Sequence, residues 1–183
     1  DILHTACYNK VMEKIFYAER DRYPSTERLM RAVFADHFGI RDARIERSEN
    51  GKPFLEGTPL FFSVSHTKFF WFAAVSEVNV GIDAEPSERE TDYQFILSRF
   101  PIEEREEIAD KEQFLRHWTA RESATKWIGG TLADAFSRLS YIKGKLFYRS
   151  LELPVRLSHF EIEGHVVALC REKARGETEI IRL

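Results

Sequence analysis

An internal repeat is the feature that most constrains the fold of this chain. The segment GKPFLEGTPLFFSVSH, residues 51–66, aligns without a gap to GKLFYRSLELPVRLSH, residues 144–159. Six of the 16 positions are identical at a constant offset of 93 residues, where chance would give about one. Each copy follows a segment with a helical pattern and precedes a further apolar strand. We therefore predict an α+β fold of two similar halves, each a helix packed on a small antiparallel sheet.

The boundary between the predicted halves follows from the same alignment. The N-terminal half spans residues 1–85, and the C-terminal half spans residues 86–183. The second half opens with a highly charged connection, residues 86–113, for which partly helical, solvated structure is expected. The repeated Gly-Lys pair is turn chemistry, so Lys145 and His159 are interpreted as hairpin residues only.

Composition narrows the class of protein. The 183 residues are 43% hydrophobic and include 15 Phe, which is ample for a packed core. A net charge of −3 argues against a nucleic-acid-binding protein. Only two cysteines are present, Cys7 and Cys170, so neither a disulfide framework nor a zinc site is expected. The sequence shows neither a membrane span nor a secretory signal, and we expect a cytoplasmic protein with no membrane partner.

The segment WTARESATKW, residues 118–127, has a helical pattern with a glutamate close to its apolar face. At about 100° per residue, Phe114, Leu115, Trp118 and Thr125 share one side, and Glu122 lies within about 40° of Trp118. Lys126 follows at the i,i+4 spacing, so an ordinary surface salt bridge would explain the pair. The alternative is a functional carboxylate, because buried charges need a partner or a metal.

A second acidic cluster lies in VNVGIDAEP, residues 78–86. Strand alternation places Gly81, Asp83 and Glu85 on one face. Adjacent carboxylates repel, and a divalent cation relieves that repulsion. If Glu122 of the second half meets this strand, the three carboxylates form an oxygen-only site that suits Mg²⁺, with Mn²⁺ as an alternative.

Four segments together resemble a known family. GKPF, SVSHT, VGIDAEP and WTARESATKW occur in the order and at the spacing of the signature blocks of 4′-phosphopantetheinyl transferases of the surfactin-synthetase-activator type. The resemblance covers residues 22–127. It implies a pseudo-twofold fold of two α+β halves with the active site between them, which agrees with the repeat.

The resemblance also implies an activity and a set of site residues. The activity is transfer of the phosphopantetheine arm of coenzyme A, the substrate, to a serine of an apo acyl or peptidyl carrier protein, which releases 3′,5′-adenosine bisphosphate. By position, Asp83, Glu85 and Glu122 would hold Mg²⁺, and Glu122 with Lys126 would be catalytic. The residues implied in substrate binding are Ser65, His66, Lys52, Arg22, Arg31 and Arg121.

Two departures from the family pattern stand out. Arg121 replaces the lysine that usually precedes the family glutamate, which changes the donor geometry. The N-terminal region is short, and Lys10 and Lys14 are candidates to replace its missing basic residues. A non-catalytic relative that binds coenzyme A or a carrier protein is the main alternative, and a metal-dependent nuclease is a minor one. Because the two halves supply both walls of a cleft, we predict a monomer.

Overall fold

The computed structural model describes residues 12–90, 92–173 and 176–183. Cys7 and Lys10 lie outside the described residues. Within these ranges the chain forms twelve strands and five α-helices, so it is an α+β protein with small sheets. None of the helices in the described ranges has the length and apolar character that crossing a membrane would require.

The first part of the chain forms a sheet with one helix packed on it. Ser25 starts the helix by accepting a hydrogen bond from the Arg28 amide, and Gly39 ends it in the left-handed conformation. The helix buries Leu29 and Phe34 against the sheet. The elements are β1 (Glu13–Glu19), a 3₁₀ turn (Arg20–Arg22), α1 (Thr26–Phe38), β2 (Ile45–Arg47), β3 (Pro53–Leu55), β4 (Phe61–His66) and β5 (Phe70–Ser76).

The second part begins with a strand and carries the longest helix. Its elements are β6 (Val80–Pro86), α2 (Tyr93–Leu97), α3 (Ile102–Arg105), α4 (Lys111–Ile128), α5 (Leu132–Ser137), β7 (Leu139–Ile142), β8 (Lys145–Tyr148), β9 (Leu151–Glu152), β10 (Val155–Ile162), β11 (His165–Glu172) and β12 (Thr178–Arg182). Asp110 caps the start of α4 through the Gln113 amide. The predicted helix is confirmed, and its predicted apolar residues Phe114, Leu115 and Trp118 are buried.

Strand order is the same in the two larger sheets. The first sheet runs β12-β1-β5-β4, and the second runs β10-β11-β6. If β12 is set aside, the strand that comes first in sequence (β1 or β6) pairs with the strand that comes last (β5 or β11). The strand just before the last in sequence (β4 or β10) pairs with the other edge of that last strand. Both parts therefore share one connectivity: strand, helix, small hairpin, then two strands.

Two pairings differ from the prediction. Strand β12 pairs with β1 in parallel, so the first sheet is mixed where an antiparallel sheet was expected. Strand β6 pairs with β11, which means that the predicted boundary after Glu85 falls within a strand of the second sheet. Both pairings join segments far apart in sequence, and local patterning carries no information about such partners.

The position of β6 determines what the functional site can contain. One of its faces, formed by Val80, Ile82 and Ala84, joins the apolar core between the two sheets together with Ile15 and Phe72. The opposite face, as the predicted alternation requires, is turned toward α4. Polar side chains on that second face are held between a strand and a helix, shielded from most of the solvent.

Candidate active site

Gly81 sets the distance between β6 and α4. A Cβ atom added at Gly81 would lie 2.1 Å from the Ser123 carbonyl oxygen and 2.5 Å from the Trp127 amide nitrogen. Only glycine allows the helix backbone to approach the strand this closely. The next residues on the same face, Asp83 and Glu85, are consequently drawn against the middle of α4.

Asp83 receives donors from both parts of the chain on one oxygen. Its Oδ1 accepts hydrogen bonds from the Lys126 Nζ at 2.8 Å and from the Ser65 Oγ at 2.9 Å. Its Oδ2 is buried and has no hydrogen-bond partner. The Asp83 side chain is only 9% exposed, so this oxygen cannot be satisfied by bulk solvent and is available to a ligand.

Glu85 is more fully engaged. Its Oε1 pairs with the Arg89 guanidinium and accepts a hydrogen bond from the Trp118 Nε1 at 3.3 Å. Burial raises the pKa of Glu85, the Asp83 carboxylate raises it further, and Arg89 opposes both effects. Glu85 therefore has its charge countered from within the protein.

Within the described part of the chain, Glu122 is the carboxylate of this cluster that forms no ion pair. Its Oε1 is buried and has no hydrogen-bond partner there. The Lys126 ammonium, at the i,i+4 position, donates instead to Asp83 and, at 2.9 Å, to the Ile82 carbonyl. Burial and then repulsion from Asp83 raise the pKa of Glu122 to about 7, with Lys126 acting in the opposite direction. The surface salt bridge that would have explained this glutamate is thus replaced by a Lys126–Asp83 pair.

The three carboxylates can be tested against the divalent cation that the sequence predicts. All their donors are oxygens, and Asp83 and Glu122 each hold one buried, unpartnered oxygen, which suits a hard cation. As they stand, no three His, Cys, Asp or Glu side chains within residues 12–90, 92–173 and 176–183 are close enough to share a metal ion. Asp83 and Glu122 fit the cation directly, whereas the Oε1 of Glu85 is already held by Arg89 and Trp118.

A basic pocket adjoins these carboxylates. It has a volume of about 320 Å³, and its floor and walls come from β4, the β2–β3 loop and the end of α4. The lining includes the cationic side chains of Arg47, Lys52 and Lys126 together with His66, and no carboxylate of the described residues is among it. Such a pocket is suited to a phosphorylated ligand. The complete lining is Thr26, Arg47, Asn50, Gly51, Lys52, Pro53, Phe62, Ser63, Val64, His66, Lys126, Gly129 and Gly130.

The two repeat-related histidines have different surroundings. His66 is exposed at the pocket, its ring set edge-on to Trp71 at 5.2 Å. Burial, followed by the charges of Arg20 and Lys126, lowers the pKa of His66. His159 instead turns inward, and its Nε2 lies 3.0 Å from the Arg116 carbonyl oxygen. Only the first copy of the repeat presents its histidine to the pocket.

Lys52 lines the pocket and also joins the two parts of the chain. Its Nζ donates to the Asn79 Oδ1 at 2.6 Å, to the Trp127 carbonyl at 3.0 Å and to the Val80 carbonyl at 3.3 Å. Burial lowers the pKa of Lys52 to about 8. The ammonium thus fixes the last turn of α4 against the start of β6, one residue from Lys126 and Gly81.

Three residues predicted to bind substrate lie elsewhere. Arg22 pairs with the Leu183 carbonyl oxygen, and Arg31 is half-exposed beside Glu27 at 2.9 Å. Arg121 is fully buried and does not line the pocket. Its guanidinium donates to the Glu104 carboxylate at 2.6 Å and to the Ala135 and Phe136 carbonyl oxygens. These contacts hold Arg121 within the fold, a role that could not be predicted from its position next to Glu122 in the sequence. Lys14, a candidate for the missing basic residues, pairs with Glu179 at 3.0 Å.

The pocket also contains residues that sequence reasoning missed. Arg47 is the last residue of β2, Asn50 lies in the loop between β2 and β3, and Thr26 lies at the start of α1. The signal for Arg47 was present, because the turn at Gly51 pairs Arg47 with Pro53, directly beside Lys52. The Arg47 guanidinium donates to the Gly51 carbonyl at 2.9 Å, which holds it at the pocket.

Comparison with known proteins assigns the chain to a family. A search of curated proteins gives no match. The sequence model of the 4′-phosphopantetheinyl transferase superfamily, however, matches residues 79–170. This range is just over half of the chain and includes β6, α4 and the three carboxylates, whereas Lys52, Ser65 and His66 precede it. The chain therefore belongs to the 4′-phosphopantetheinyl transferase superfamily.

Proposed function

We propose that this protein transfers the 4′-phosphopantetheine group of coenzyme A to a serine hydroxyl of an acyl or peptidyl carrier protein, and that it is of the surfactin-synthetase-activator type. The observation that best supports this proposal is a basic pocket next to two buried carboxylate oxygens, on Asp83 and Glu122, that have no hydrogen-bond partner among the described residues. The family supports a transferase. The four sequence segments that resemble the surfactin-activator type support the finer assignment.

The basic pocket supplies the binding of coenzyme A. His66 and Lys126 are open to it from opposite walls, β4 and α4, and Arg47 and Lys52 add positive charge. Lys126 lies between the pocket and Asp83, so a diphosphate that reaches from the pocket toward the carboxylates passes its ammonium. Charge neutralisation and positioning of this kind are the main requirements of phosphoryl transfer.

The carboxylates supply the remaining parts of the reaction. Asp83 and Glu122, with Glu85 once released from Arg89, would hold a divalent cation, Mg²⁺ in this proposal. When bound, the cation supplies neutralisation of the diphosphate charge. Asp83 is fixed for this role by Ser65 and Lys126, both of which bind its other oxygen.

Glu122 is the proposed general base. The serine oxygen forms a bond to the phosphorus that carries the pantetheine arm, and the bond from that phosphorus to the bridging oxygen breaks. 3′,5′-Adenosine bisphosphate leaves with the bridging oxygen and its electron pair, and the serine proton passes to Glu122. Ionised Glu122 is the proton acceptor, and a general base of this kind typically contributes about 10²–10⁴ in rate.

The proposed active unit is a monomer. Lys52 and Ser65 come from the first part of the chain, and Lys126 and Glu122 from the second, so one chain supplies both walls of the site. A single half would need a twofold partner to do so. Sedimentation at micromolar concentration is expected to show one chain per particle, and an obligate dimer would contradict the proposal.

Mass spectrometry tests the function directly. The protein is incubated with Mg²⁺, coenzyme A and a panel of apo acyl and peptidyl carrier proteins. Addition of one phosphopantetheine mass to a carrier, absent when its acceptor serine is changed to alanine, supports the proposal. Tight binding of coenzyme A without any transfer across the panel would instead support a non-catalytic relative.

A further inference from the structure

Arg89 is held over one of the proposed metal ligands by the local backbone. The chain leaves β6 at Pro86, and the Arg89 amide donates to the Pro86 carbonyl at 3.0 Å. The Ser87 amide donates to the Gly164 carbonyl at 2.9 Å, which ties this turn to the second sheet. The turn directs the Arg89 guanidinium back onto the Oε1 of Glu85.

The charges at the carboxylates are balanced incompletely by the protein itself. Arg89 pairs with Glu85, and Lys126 pairs with Asp83. Among residues 12–90, 92–173 and 176–183, nothing pairs with the buried Oε1 of Glu122 or with the Oδ2 of Asp83, whose side chain is 9% exposed. The cluster therefore keeps one net negative charge when all three carboxylates are ionised, and it keeps two oxygens for an added cation.

A divalent cation and Arg89 cannot both use Glu85 favourably. Two positive groups at one carboxylate repel each other, so a cation that takes Glu85 as its third ligand meets the charge of Arg89. The Arg89 side chain is 39% exposed, whereas that of Glu85 is 17% exposed. Arg89 is therefore the more solvent-accessible member of the pair, and Glu85 is the member held beside Trp118.

We propose that Arg89 is an affinity-setting residue of the metal site, which competes with the divalent cation for Glu85 and leaves this carboxylate when the cation binds. The proposal rests on the metal site of the proposed function and adds to it a residue outside the resembling segments. Arg89 acts through Glu85, so its effect belongs to cation affinity rather than to the reacting atoms.

Titration with Mn²⁺ in the absence of coenzyme A tests the proposal, because free Mn²⁺ is measured directly by electron paramagnetic resonance. Arg89→Gln is expected to lower the Mn²⁺ dissociation constant about three- to fivefold, the upper part of the range for a partly exposed ion pair. Arg99→Gln is the matched control, since it removes the same charge from the same connection. The Arg99 guanidinium lies over the Phe95 ring at 4.9 Å, and Arg99 is not among the charges that shift the pKa of Glu85 or of Glu122. The Mn²⁺ dissociation constant of Arg99→Gln should stay within about twofold of the wild-type value.

A double variant separates competition at Glu85 from a general field effect. In a Glu85→Gln background, Arg89→Gln should change the dissociation constant by less than about twofold. Equal Mn²⁺ affinity of wild type and Arg89→Gln, with both proteins folded by circular dichroism, would overturn the role of Arg89 and leave the metal site intact. Absence of Mn²⁺ binding in both proteins would overturn the metal site itself.

Discussion

The Lys126 Nζ lies 2.8 Å from the Asp83 Oδ1, so the helix lysine neutralises the strand aspartate rather than the glutamate one turn before it. Ser65, from the first sheet, donates to the same Asp83 oxygen. One carboxylate thereby connects both parts of the chain, and its second oxygen is buried without a hydrogen-bond partner among the described residues.

Asp83→Asn should weaken the cation site without disturbing the fold. Asparagine keeps an oxygen for Ser65 and Lys126 but loses the negative charge. We expect Mn²⁺ affinity to fall at least about tenfold and transfer to fall with it. Asp92→Asn, on an exposed residue of the connection, is the control. Undiminished transfer by Asp83→Asn in excess chelator would refute metal dependence at this residue.

Glu122→Gln should separate chemistry from stability. Glutamine keeps the size of the side chain but loses the proton acceptor and the charge. Single-turnover transfer at saturating Mg²⁺ and coenzyme A should slow at least about a hundredfold, while coenzyme A still binds. Glu112→Gln, an exposed glutamate of the same helix paired with Arg116, should transfer at the wild-type rate. A rate for Glu122→Gln within about threefold of wild type would remove Glu122 from the mechanism.

The raised pKa of Glu122 predicts how stability depends on pH. Because the pKa rises from 4.5 in the unfolded chain to about 7 in the folded protein, the folded state holds a proton that the unfolded state has lost across this window. Stability therefore falls as pH rises from 4.5 to about 7.

Glu122→Gln removes that dependence. Relative to the variant, the wild-type free energy of unfolding should fall by up to about 3 kcal/mol between pH 4.5 and pH 8. Chemical denaturation of both proteins at several pH values gives the comparison, and Glu85 is present in both. Parallel stability curves would show that Glu122 titrates normally. Added Mg²⁺ should reduce the loss in the wild type, because a bound cation favours the ionised carboxylate.

The histidine pair predicts a split between binding and stability. His66→Ala removes a side chain that faces the basic pocket, so the KM for coenzyme A should rise several-fold with the melting temperature nearly unchanged. His159→Ala removes the contact with the Arg116 carbonyl, so it should cost about 1–2 kcal/mol of stability and leave KM unchanged. The reverse result would show that the coenzyme A site lies at His159, in the second part of the chain, and not at His66.

Arg121→Lys should act on the fold alone. The variant loses the fork that joins Glu104 to two carbonyl groups of α5, and the expected loss is about 2–4 kcal/mol of stability. Arg116→Lys, at a half-exposed pair on the same helix, should cost well under 1 kcal/mol, as is usual for such pairs. A raised KM for coenzyme A in Arg121→Lys, without loss of stability, would restore the substrate-binding role that the sequence suggested.

The sequence was sufficient where local periodicity determines the outcome. The helical spacing of Phe114, Leu115 and Trp118 predicted a buried face of α4, and strand alternation placed Asp83 and Glu85 on the face opposite Ile82. It was insufficient where the partner is distant. The residues near Arg121 in sequence do not indicate that Glu104 will pair with it in the fold. Without knowledge of that ion pair, an arginine next to a functional glutamate is interpreted as a substrate ligand.

Strand pairing was the other information that local sequence lacked. The repeat, which aligns without a gap, indicated two units of similar connectivity. Which of the two sheets β6 joins, however, depends on which strand edge is left unpaired when the sheets form. Arg47 is an intermediate case, because hairpin pairing across Gly51 places it opposite Pro53 and therefore next to Lys52.

The parallel pairing of β12 with β1 has a consequence for biosynthesis. Residues 178–182 follow the whole second sheet in sequence, so β1 receives its outer neighbour only after both sheets have been translated. Until then one edge of β1 is an unprotected template for other strands. A ribosome that stalls within β11 would release a chain that already carries every proposed catalytic residue and yet is prone to aggregate through its N-terminal sheet.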